Sequence, residues 1–282
     1  MTRTDERVIH VAHSPDSDDA FMFYALAEGK IDTEGLSYVH ALQDIESLNQ
    51  RALRGELEVT AVSIHAYAYL ADRYALLPHG SSMGDRYGPR LVAREPLAVH
   101  SLRGLRVAIP GLMTTAYLGL RLYLADFEPV PTPFDQIEQA VADGKVDAGL
   151  LIHEGQLTFG DLGLHLLVDL GEWWFNQTGL PLPLGGNVVR KDLGVAMISK
   201  ISRHLRASIA YGLEHRKAAL DHAMQYARGL DREKADTFVG MYVNDWTLDY
   251  GEVGRRAVRE LLRRGTEAGV IPHPVIVEFV EH

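Results

Sequence analysis

Hydrophobic periodicity that alternates between strand and helix patterns constrains the fold of this chain more than any other feature. Short apolar runs with strand character lie at residues 8–12, 36–42 and 58–64, and segments with helical spacing follow the first two. The turn after the first strand offers Asp16 or Ser17 as a helix N-cap. Alternation of this kind predicts an α/β fold with a mainly parallel sheet.

Two stretches of the chain resemble each other, which favours two related lobes. Residues 51–65 and residues 139–153 each run from a helix end through a glycine turn and an acidic residue into a strand that ends near a histidine. The strand and helix alternation pauses near residues 94–98 and then restarts, so the second stretch falls in a second α/β unit.

The predicted lobe limits follow from these patterns and from the helical character of the chain after residue 193. Helices that follow two α/β units are expected to pack back on one of them, which requires a second crossing near residues 185–190. The sequence therefore predicts a larger discontinuous lobe of residues 1–96 and 190–282, a smaller lobe of residues 97–189, and a cleft between them.

Composition excludes several classes of function. The 282 residues contain no cysteine, which rules out disulfides, thiolate metal ligands and cysteine nucleophiles. A formal net charge of −10 argues against binding to nucleic acids or anionic membranes, since both require clustered lysine and arginine. The N-terminal residues lack the apolar stretch of a secretory signal, and no apolar run is long enough to span a bilayer. We therefore expect a cytoplasmic protein.

Turns at the carboxyl ends of predicted strands are candidate ligand sites, because ligands of open α/β sheets bind there. These turns are residues 14–19, 63–65, 111–116 and 153–155. Thr114, Thr115 and the N–H of Ala116 open a helix after a strand, an arrangement that suits a carboxylate or phosphate. An ordinary N-cap is the alternative, since threonine is common at that position.

His153 ends an apolar strand and is a candidate general base, a role that typically contributes ~10²–10⁴ in rate. The alternative is a histidine that bonds to a backbone carbonyl, which fits most of the 13 histidines. In the other repeated stretch His65 lies one position off His153, counted from each glycine turn, and such an offset on a strand reverses the face, so the two histidines need not share a role. Ser63 is the better cleft candidate there. His10 and His13 lie near several aspartates but point to opposite faces of a strand, so we predict no metal site.

Three further patterns bear on function. Residues 80–84 match the nucleophile-elbow pattern G-x-S-x-G, but a loop and a strand follow instead of a helix, which excludes a serine hydrolase of that type. Neither G-x-x-x-x-G-K-[ST] nor G-x-G-x-x-G occurs, so nothing in the sequence indicates a nucleotide cofactor. Residues 171–186 contain Trp173, Trp174 and two prolines, which predicts a stiff aromatic loop between the lobes that suits a planar ligand.

Several of these segments together carry a resemblance to a known family. They are residues 14–26, residues 111–116, Ile-His-Glu-Gly at 152–155, and Trp-Trp with Leu-Pro-Leu-Pro-Leu-Gly between 173 and 185. In them, and in order over about the first 190 residues, the chain resembles the 1,4-dihydroxy-6-naphthoate synthase family of the futalosine route to menaquinone. The resemblance implies a two-lobed fold like that of type II periplasmic binding proteins, in a protein that is not a transporter.

The resemblance also implies a reaction and roles for individual residues. The family converts cyclic dehypoxanthinyl futalosine to 1,4-dihydroxy-6-naphthoate and needs no metal or organic cofactor. His153 would be the general base that starts cleavage of the sugar-derived ring. The residues expected to contact a small anionic aromatic substrate are Thr114, Thr115, Ala116 through its N–H, Ser63, Ser14, Asp19 and Trp174.

One departure from the family pattern lies in the first turn. Typical members read Ser-Pro-Cys-Pro-Asn-Asp-Thr-Phe, whereas this chain reads Ser-Pro-Asp-Ser-Asp-Asp-Ala-Phe at residues 14–21. Added carboxylates weaken the binding of an anionic substrate unless they face away or meet a cation, so the departure leaves the exact substrate open. The alternatives are a solute-binding protein for a small anion and a chorismate dehydratase-like enzyme, whose members lack the Pro-Leu-Pro-Leu-Gly block. A homodimer is also left open.

Overall fold

The computed structural model of the protein describes residues 7–281. The strands are β1 (Arg7–His13), β2 (Leu36–Leu42), β3 (Val59–Ser63), β4 (Tyr74–Leu76), β5 (Ser82–Gly84), β6 (Arg90–Ala93), β7 (Arg106–Ile109), β8 (Glu128–Pro131), β9 (Ala148–Leu151), β10 (His165–Asp169) and β11 (Leu182–Arg190). The helices are α1 (Ser17–Ala27), α2 (Ile45–Leu53), α3 (Ile64–Tyr67), α4 (Thr115–Tyr123), α5 (Ile137–Ala142), α6 (Gly155–Thr158), α7 (Leu170–Thr178), α8 (Val195–Glu214), α9 (Arg216–Ala223), α10 (Arg232–Tyr242), α11 (Asp245–Leu248) and α12 (Gly251–Glu267).

The first of two sheets is mixed. Its strand order is β2-β1-β3-β11-β4, and β5 also pairs with β11. Strands β1, β2 and β3 are parallel, as the alternation of strands and helices predicts. Strand β11, however, runs antiparallel to β3, β4 and β5. The prediction of a mainly parallel sheet is therefore correct only for the N-terminal strands. Strand β11, which comes back from the second sheet, enters the first sheet in the opposite direction.

The second sheet has the strand order β10-β6-β9-β7-β8 and completes a two-lobed α/β fold, as predicted. Strand β7 is parallel to β8 and β9, whereas β6 is antiparallel to β9 and β10. Helix α5 packs closely on β9 at Gly149, where an added Cβ would lie 2.6 Å from the side chains of Ile137 and Val141. The absence of a side chain at this position lets the helix cover the sheet at short range.

The chain crosses between the sheets twice, and the two connections touch each other. Sheet membership changes between β5 and β6 and again between β10 and β11, which α7 joins. Gly88 in the first connection and Gly171 in the second are in close contact, since a Cβ at Gly171 would overlap the backbone of the first connection. The lobe limits at residues 1–96 with 190–282 and at 97–189 stay a prediction.

The tryptophan-rich segment is a helix and a strand rather than the predicted loop. Helix α7 begins after Asp169, whose carboxylate accepts hydrogen bonds from the N–H groups of Gly171 and Glu172 at 3.0 and 3.2 Å. The helix ends at Gly179, which has a φ of 68°. Asp169 and Gly179 are ordinary N-cap and C-cap signals of a helix.

The helical tail packs around α1, which is buried along residues 17–26. Helices α8, α9 and α10 all contact it. One polar tie is the Ser208 hydroxyl, which donates a hydrogen bond to the carbonyl of Met22 at 2.9 Å. The tail then returns to the first sheet, where Phe279 forms a bridge with Leu76. Among the helices of residues 7–281, none is both long and apolar enough to cross a bilayer.

Candidate active site

Turns from both sheets enclose a cavity with two adjoining parts. The inner part has a volume of about 100 Å³ and lies against the turns after β1, β3, β7 and β9. The outer part, of about 650 Å³, lies at residues 44–50, 110–113 and 131–135. Ile45 and Ile152 line both parts. All four predicted strand-end turns therefore contribute residues to the inner cavity.

Three aspartates of the turn between β1 and α1 are buried at the inner cavity. Asp16 occupies the N-cap position of α1, but its side chain makes no capping hydrogen bond. Asp19 accepts a hydrogen bond on Oδ2 from the N–H of Ser14 at 2.7 Å, which closes the turn. Within residues 7–281, the Oδ1 atoms of Asp16 and Asp18 have no hydrogen-bond partner. The turn thus presents carboxyl groups to the cavity.

His153 faces this acidic turn from the second sheet. Its Nδ1 lies 3.0 Å from Oδ2 of Asp16, and its ring meets the Phe134 ring edge-on at 4.9 Å. The residue has a φ of 53°, which is uncommon for a side chain other than glycine and is retained only where neighbouring contacts hold it. The Nε2 atom has no hydrogen-bond partner in the described part of the chain, and the residue lines the inner cavity.

The pairing of His153 with Asp16 shifts the pKa values of both residues, and the charge of Asp16 shifts those of Asp18 and Asp19. Burial opposes the charge on Asp16, but the charge and hydrogen bond of His153 outweigh it and lower the pKa of Asp16 to about 2. Burial also opposes the charge on His153, yet Asp16 overcomes this effect, so the pKa of His153 is raised. Burial and the negative charge of Asp16 raise the pKa of Asp19 to about 8 and that of Asp18 well above its usual range. Within one turn the surroundings thus favour the ionised form of Asp16 and the protonated forms of Asp18 and Asp19.

The N-terminus of α4 lies at the same cavity and is tied down by both threonines. The Thr114 hydroxyl donates a hydrogen bond to the carbonyl of Gly111 at 2.8 Å and accepts one from a backbone N–H of α4 at 3.2 Å. The Thr115 hydroxyl donates to the carbonyl of Leu184 at 2.6 Å. Because both hydroxyls are engaged within the protein, the groups left for an anion are the first-turn N–H groups at Thr115 and Ala116.

Ser63 lines the inner cavity, whereas His65 lies in α3 and contacts the start of α4. Asn49 holds Ser63 by donating from Nδ2 to its hydroxyl at 3.2 Å and accepting from its N–H at 2.9 Å. The Ser63 hydroxyl thus keeps its own hydrogen for a ligand. His65 donates its N–H to the Thr115 hydroxyl at 3.1 Å. Burial lowers the pKa of His65 to about 4, so this histidine stays neutral.

Comparisons with known proteins decide the family. Residues 9–267 match the model of a family described as menaquinone biosynthesis. The chain belongs to this family. Its relatives include a 1,4-dihydroxy-6-naphthoate synthase of Thermus thermophilus, 43% identical over 95% of this chain and 99% of the relative. A protein of the same name from Streptomyces coelicolor is 41% identical over 94% of this chain and 95% of its own length.

Solved structures agree with this membership and with the predicted fold. Protein AF1704 from Archaeoglobus fulgidus has a TM-score of 0.90 at 51% identity, over 93% of this chain and 98% of that one. The alkanesulfonate-binding protein SsuA of Xanthomonas axonopodis has a TM-score of 0.71 at 14% identity, over 96% of each chain. The second likeness concerns the fold alone and confirms the resemblance to periplasmic binding proteins. The chain is thus an enzyme with a role in menaquinone biosynthesis on this fold.

Trp174 of this menaquinone biosynthesis enzyme lies outside both parts of the cavity. Its indole N–H donates a hydrogen bond to the carbonyl of Pro181 at 3.1 Å, and its ring is buried below the Arg264 guanidinium at 5.2 Å. The expected aromatic wall is instead formed in the inner cavity by Phe238 and Tyr242. Helix α7 turns Trp174 into the core, so its contribution is to packing.

Sequence reasoning missed the lining residues of α6 and α10 and Asn187 of β11, whereas Leu184, Gly185 and Gly186 lie in the segment 171–186 that it singled out. Tyr242 of α10 and the side-chain amide of Gln156 are hydrogen bonded at 2.7 Å, which joins the helical tail to the second sheet's turn. Asn187 of β11 also lines the inner cavity. Nothing local marks Tyr242, because a helix that only packs shows the same apolar periodicity. Gln156 follows the predicted His-Glu-Gly turn directly, and that proximity was the one available signal.

One group of side chains in this family member could hold a cation. Across the described residues, the ligand atoms of Asp16, Asp18 and His153 lie within 4.8 Å of one another. Oxygen and imidazole donors of this kind suit a divalent metal, but the ion pair already engages one atom each of Asp16 and His153. His10 is exposed and His13 buried on opposite faces of β1. The expected absence of a metal site stays a prediction.

Proposed function

We propose that this enzyme is a 1,4-dihydroxy-6-naphthoate synthase that converts cyclic dehypoxanthinyl futalosine to 1,4-dihydroxy-6-naphthoate, with His153 as the general base. One geometric observation carries the proposal. His153 lines the inner cavity with its Nδ1 3.0 Å from Oδ2 of Asp16 and with Nε2 unpaired within residues 7–281. A neutral histidine held in this way has a lone pair on Nε2 that can accept a proton from the substrate.

The N-terminus of α4 is the proposed anchor for the negative group of the substrate. The first-turn N–H groups at Thr115 and Ala116 need partners, and the helix dipole favours an anion at this end. No acidic side chain lies in the first turn of α4, so none of its own residues competes with a ligand. The Ser63 hydroxyl adds a neutral donor from the first sheet.

The acidic turn is compatible with an anionic substrate because most of its negative charge is neutralised. Asp16 is paired with His153. Burial raises the pKa of Asp18 and of Asp19, which favours the protonated, hydrogen-bond-donating form of both carboxyl groups. The departure from the Ser-Pro-Cys-Pro pattern therefore does not by itself require another substrate class.

The two-part cavity suits a substrate with a compact reacting end and a larger remainder. The inner part, of about 100 Å³, places a small group next to His153 and the start of α4. The outer part, of about 650 Å³, falls within the ~300–1,000 Å³ that small-molecule sites occupy. A bicyclic product precursor that carries a sugar-derived ring has this form.

The proposal also includes a cytoplasmic location and a reaction without metal or organic cofactor, both as implied by the family resemblance. The lobe limits given above and a homodimer belong to the same set of expectations. Size-exclusion chromatography with light scattering would measure the oligomeric state directly.

Incubation of the purified protein with cyclic dehypoxanthinyl futalosine, followed by mass spectrometry, tests the proposed reaction. We expect dihydroxynaphthoate from the wild type and a loss of ~10²–10⁴ in kcat for His153→Ala. His165→Ala is the matched control, because His165 is exposed on β10 of the same sheet. A folded protein that binds small carboxylates without turnover would instead be a binding protein. Dehydration of chorismate would indicate the chorismate dehydratase-like alternative.

A further inference from the structure

A carboxylate of the first sheet's turn meets a histidine of the second across the cavity. We propose that Asp16 is a positioning residue that keeps the proton of His153 on Nδ1 and leaves the Nε2 lone pair open to the substrate. The inference rests on the proposed role of His153 as base. It concerns the turn at residues 14–21, where the sequence departs from the pattern expected for the family.

The geometry of Asp16 favours this role over an ordinary helix cap. An aspartate at an N-cap usually accepts a hydrogen bond from an N–H of the first turn. Asp16 has the extended backbone of an N-cap, with φ −127° and ψ 167°, but makes no such bond. Its side chain instead lies 3.0 Å from Nδ1 of His153, which is hydrogen-bonding distance, and it is only 1% exposed.

The contacts of His153 restrict its ring from the other side. Phe134 meets the ring edge-on at 4.9 Å, and the Arg228 guanidinium lies 4.4 Å from the Phe134 centroid. Arg228 also donates a hydrogen bond to the carbonyl of Pro15 at 3.2 Å. The ring is therefore held between the acidic turn and an aromatic side chain that is itself covered by a cation.

A neutral imidazole carries one N–H, and its neighbours determine which nitrogen bears it. A carboxylate at Nδ1 accepts that hydrogen, so the basic lone pair lies on Nε2. Without the carboxylate, part of the population would carry the proton on Nε2 and could not act as the base.

The charged and titratable groups around the pair keep Asp16 ionised. Those that face His153 or Asp16 are His13, Asp18, Asp19, Glu154 and Arg228. Burial raises the pKa of Asp18 well above its usual range, which favours the protonated form of Asp18 as a donor to Asp16. Arg228 adds a positive charge at the same turn. The negative charge thus remains on the one carboxylate that contacts the histidine.

Asp16→Asn tests the proposal, since it keeps the shape of the side chain and removes its charge. We expect kcat to fall by about 10–10²-fold and KM to change by less than about threefold, because substrate contacts remain. The pKa of His153 should fall, because burial is no longer opposed. The base acts when deprotonated, so the acid limb of the pH profile of kcat/KM should move to lower pH.

Histidine-selective ¹⁵N NMR of the ligand-free protein supplies a readout that needs no turnover. The wild type should show His153 with the hydrogen on Nδ1, and Asp16→Asn should show a lower pKa and a mixed tautomer. The His153→Gln spectrum assigns the signal. If the wild type converts no futalosine derivative, the proposed function fails, while these spectra still decide whether Asp16 sets the tautomer.

Two further variants separate positioning from structural support. The combination Asp16→Cys, Ser17→Pro and Asp18→Asn restores the typical family turn and should fold even if Asp16→Asn does not. It should show the same shift of the acid limb. Asp231→Asn removes the charge of a side chain that caps α10, and it should leave the pH profile unchanged. A drop in kcat with an unaltered His153 pKa and tautomer would overturn the proposal.

Discussion

Two helices begin at the inner cavity, and they differ in the residues of their first turns. Helix α1 carries Asp18 and Asp19 in its first turn, directly after Asp16. Helix α4 begins with Thr115 and Ala116 and has no acidic residue in its first turn. Each follows a strand of its own sheet. One N-terminus is thus supplied with carboxyl groups by the protein itself, and the other is left for a ligand.

The comparison teaches that a helix N-terminus attracts negative charge from whichever source is nearest. At α1 the source is internal, and the carboxyl groups serve the protein, since Asp19 closes the turn on Ser14 and Asp16 pairs with His153. At α4 the Glu46 carboxylate accepts a hydrogen bond from the N–H of Met113 at 3.2 Å just before the helix, and the N–H groups at Thr115 and Ala116 form the proposed site for an external anion. The proposed base His153 and the proposed anion site at α4 both follow strands of the second sheet, and they face the carboxyl groups of α1, which follow a strand of the first.

Thr114→Asp would make the start of α4 resemble that of α1. Aspartate is a good N-cap, so the helix should form, but its charge would occupy the proposed anion site. We expect KM for the futalosine derivative to rise by about 10–10²-fold through like-charge repulsion, with a smaller change in kcat. Thr114→Ser keeps the cap without charge and should behave like the wild type. An unchanged KM in Thr114→Asp would move the anion site away from α4.

Asp19→Asn tests the protonated part of the acidic turn. The pKa of Asp19 is about 8 in the folded protein against an ordinary value of 3.8, so between these values the folded state holds a proton that the unfolded chain releases. Stability therefore falls as pH rises through this window, by at most about 1.4 kcal/mol per pH unit. Because asparagine does not titrate, we expect the free energy of unfolding in urea to decline less steeply in the variant.

The matched control for this measurement is Asp231→Asn, which removes an exposed aspartate at another helix N-cap. Its slope of stability against pH should equal that of the wild type. Parallel slopes for the wild type and Asp19→Asn would mean that Asp19 is ionised in the folded protein, and α1 would then differ less from α4 in what it can accept.

Arg228→Met is expected to have the smallest effect on activity. It tests whether Arg228 and Asp16 shift the pKa of His153 in opposite directions. Burial and, to a lesser degree, the charge of Arg228 lower the pKa of His153, against the raising effect of Asp16. Removal of this charge should raise the pKa of His153 and move the acid limb of kcat/KM to higher pH, with kcat within about threefold of the wild type. Arg228→Lys keeps the charge and should leave the limb in place. A shift to lower pH would contradict the assigned sign.

The fold and much of the site could be predicted because their signals are local. The periods of strands and helices, together with the order of the turns, are enough to predict that Ser63 and His153 face one cavity. The antiparallel return of β11 and the contact of Tyr242 with Gln156 were not predictable, since they depend on how distant segments pack. The Asp16–His153 pair belongs to the same class, because each residue sits in a turn of a different sheet.

The contact between Gly88 and Gly171 has a mechanical consequence for the cleft. Both connections between the sheets pass through this point, and the N–H of Leu170 donates a hydrogen bond to the carbonyl of Pro89 at 2.9 Å beside it. Pro89 itself lines the inner cavity. The joint of the two lobes therefore lies at the floor of the site. A rotation of one sheet against the other would therefore bend both connections beside the inner cavity.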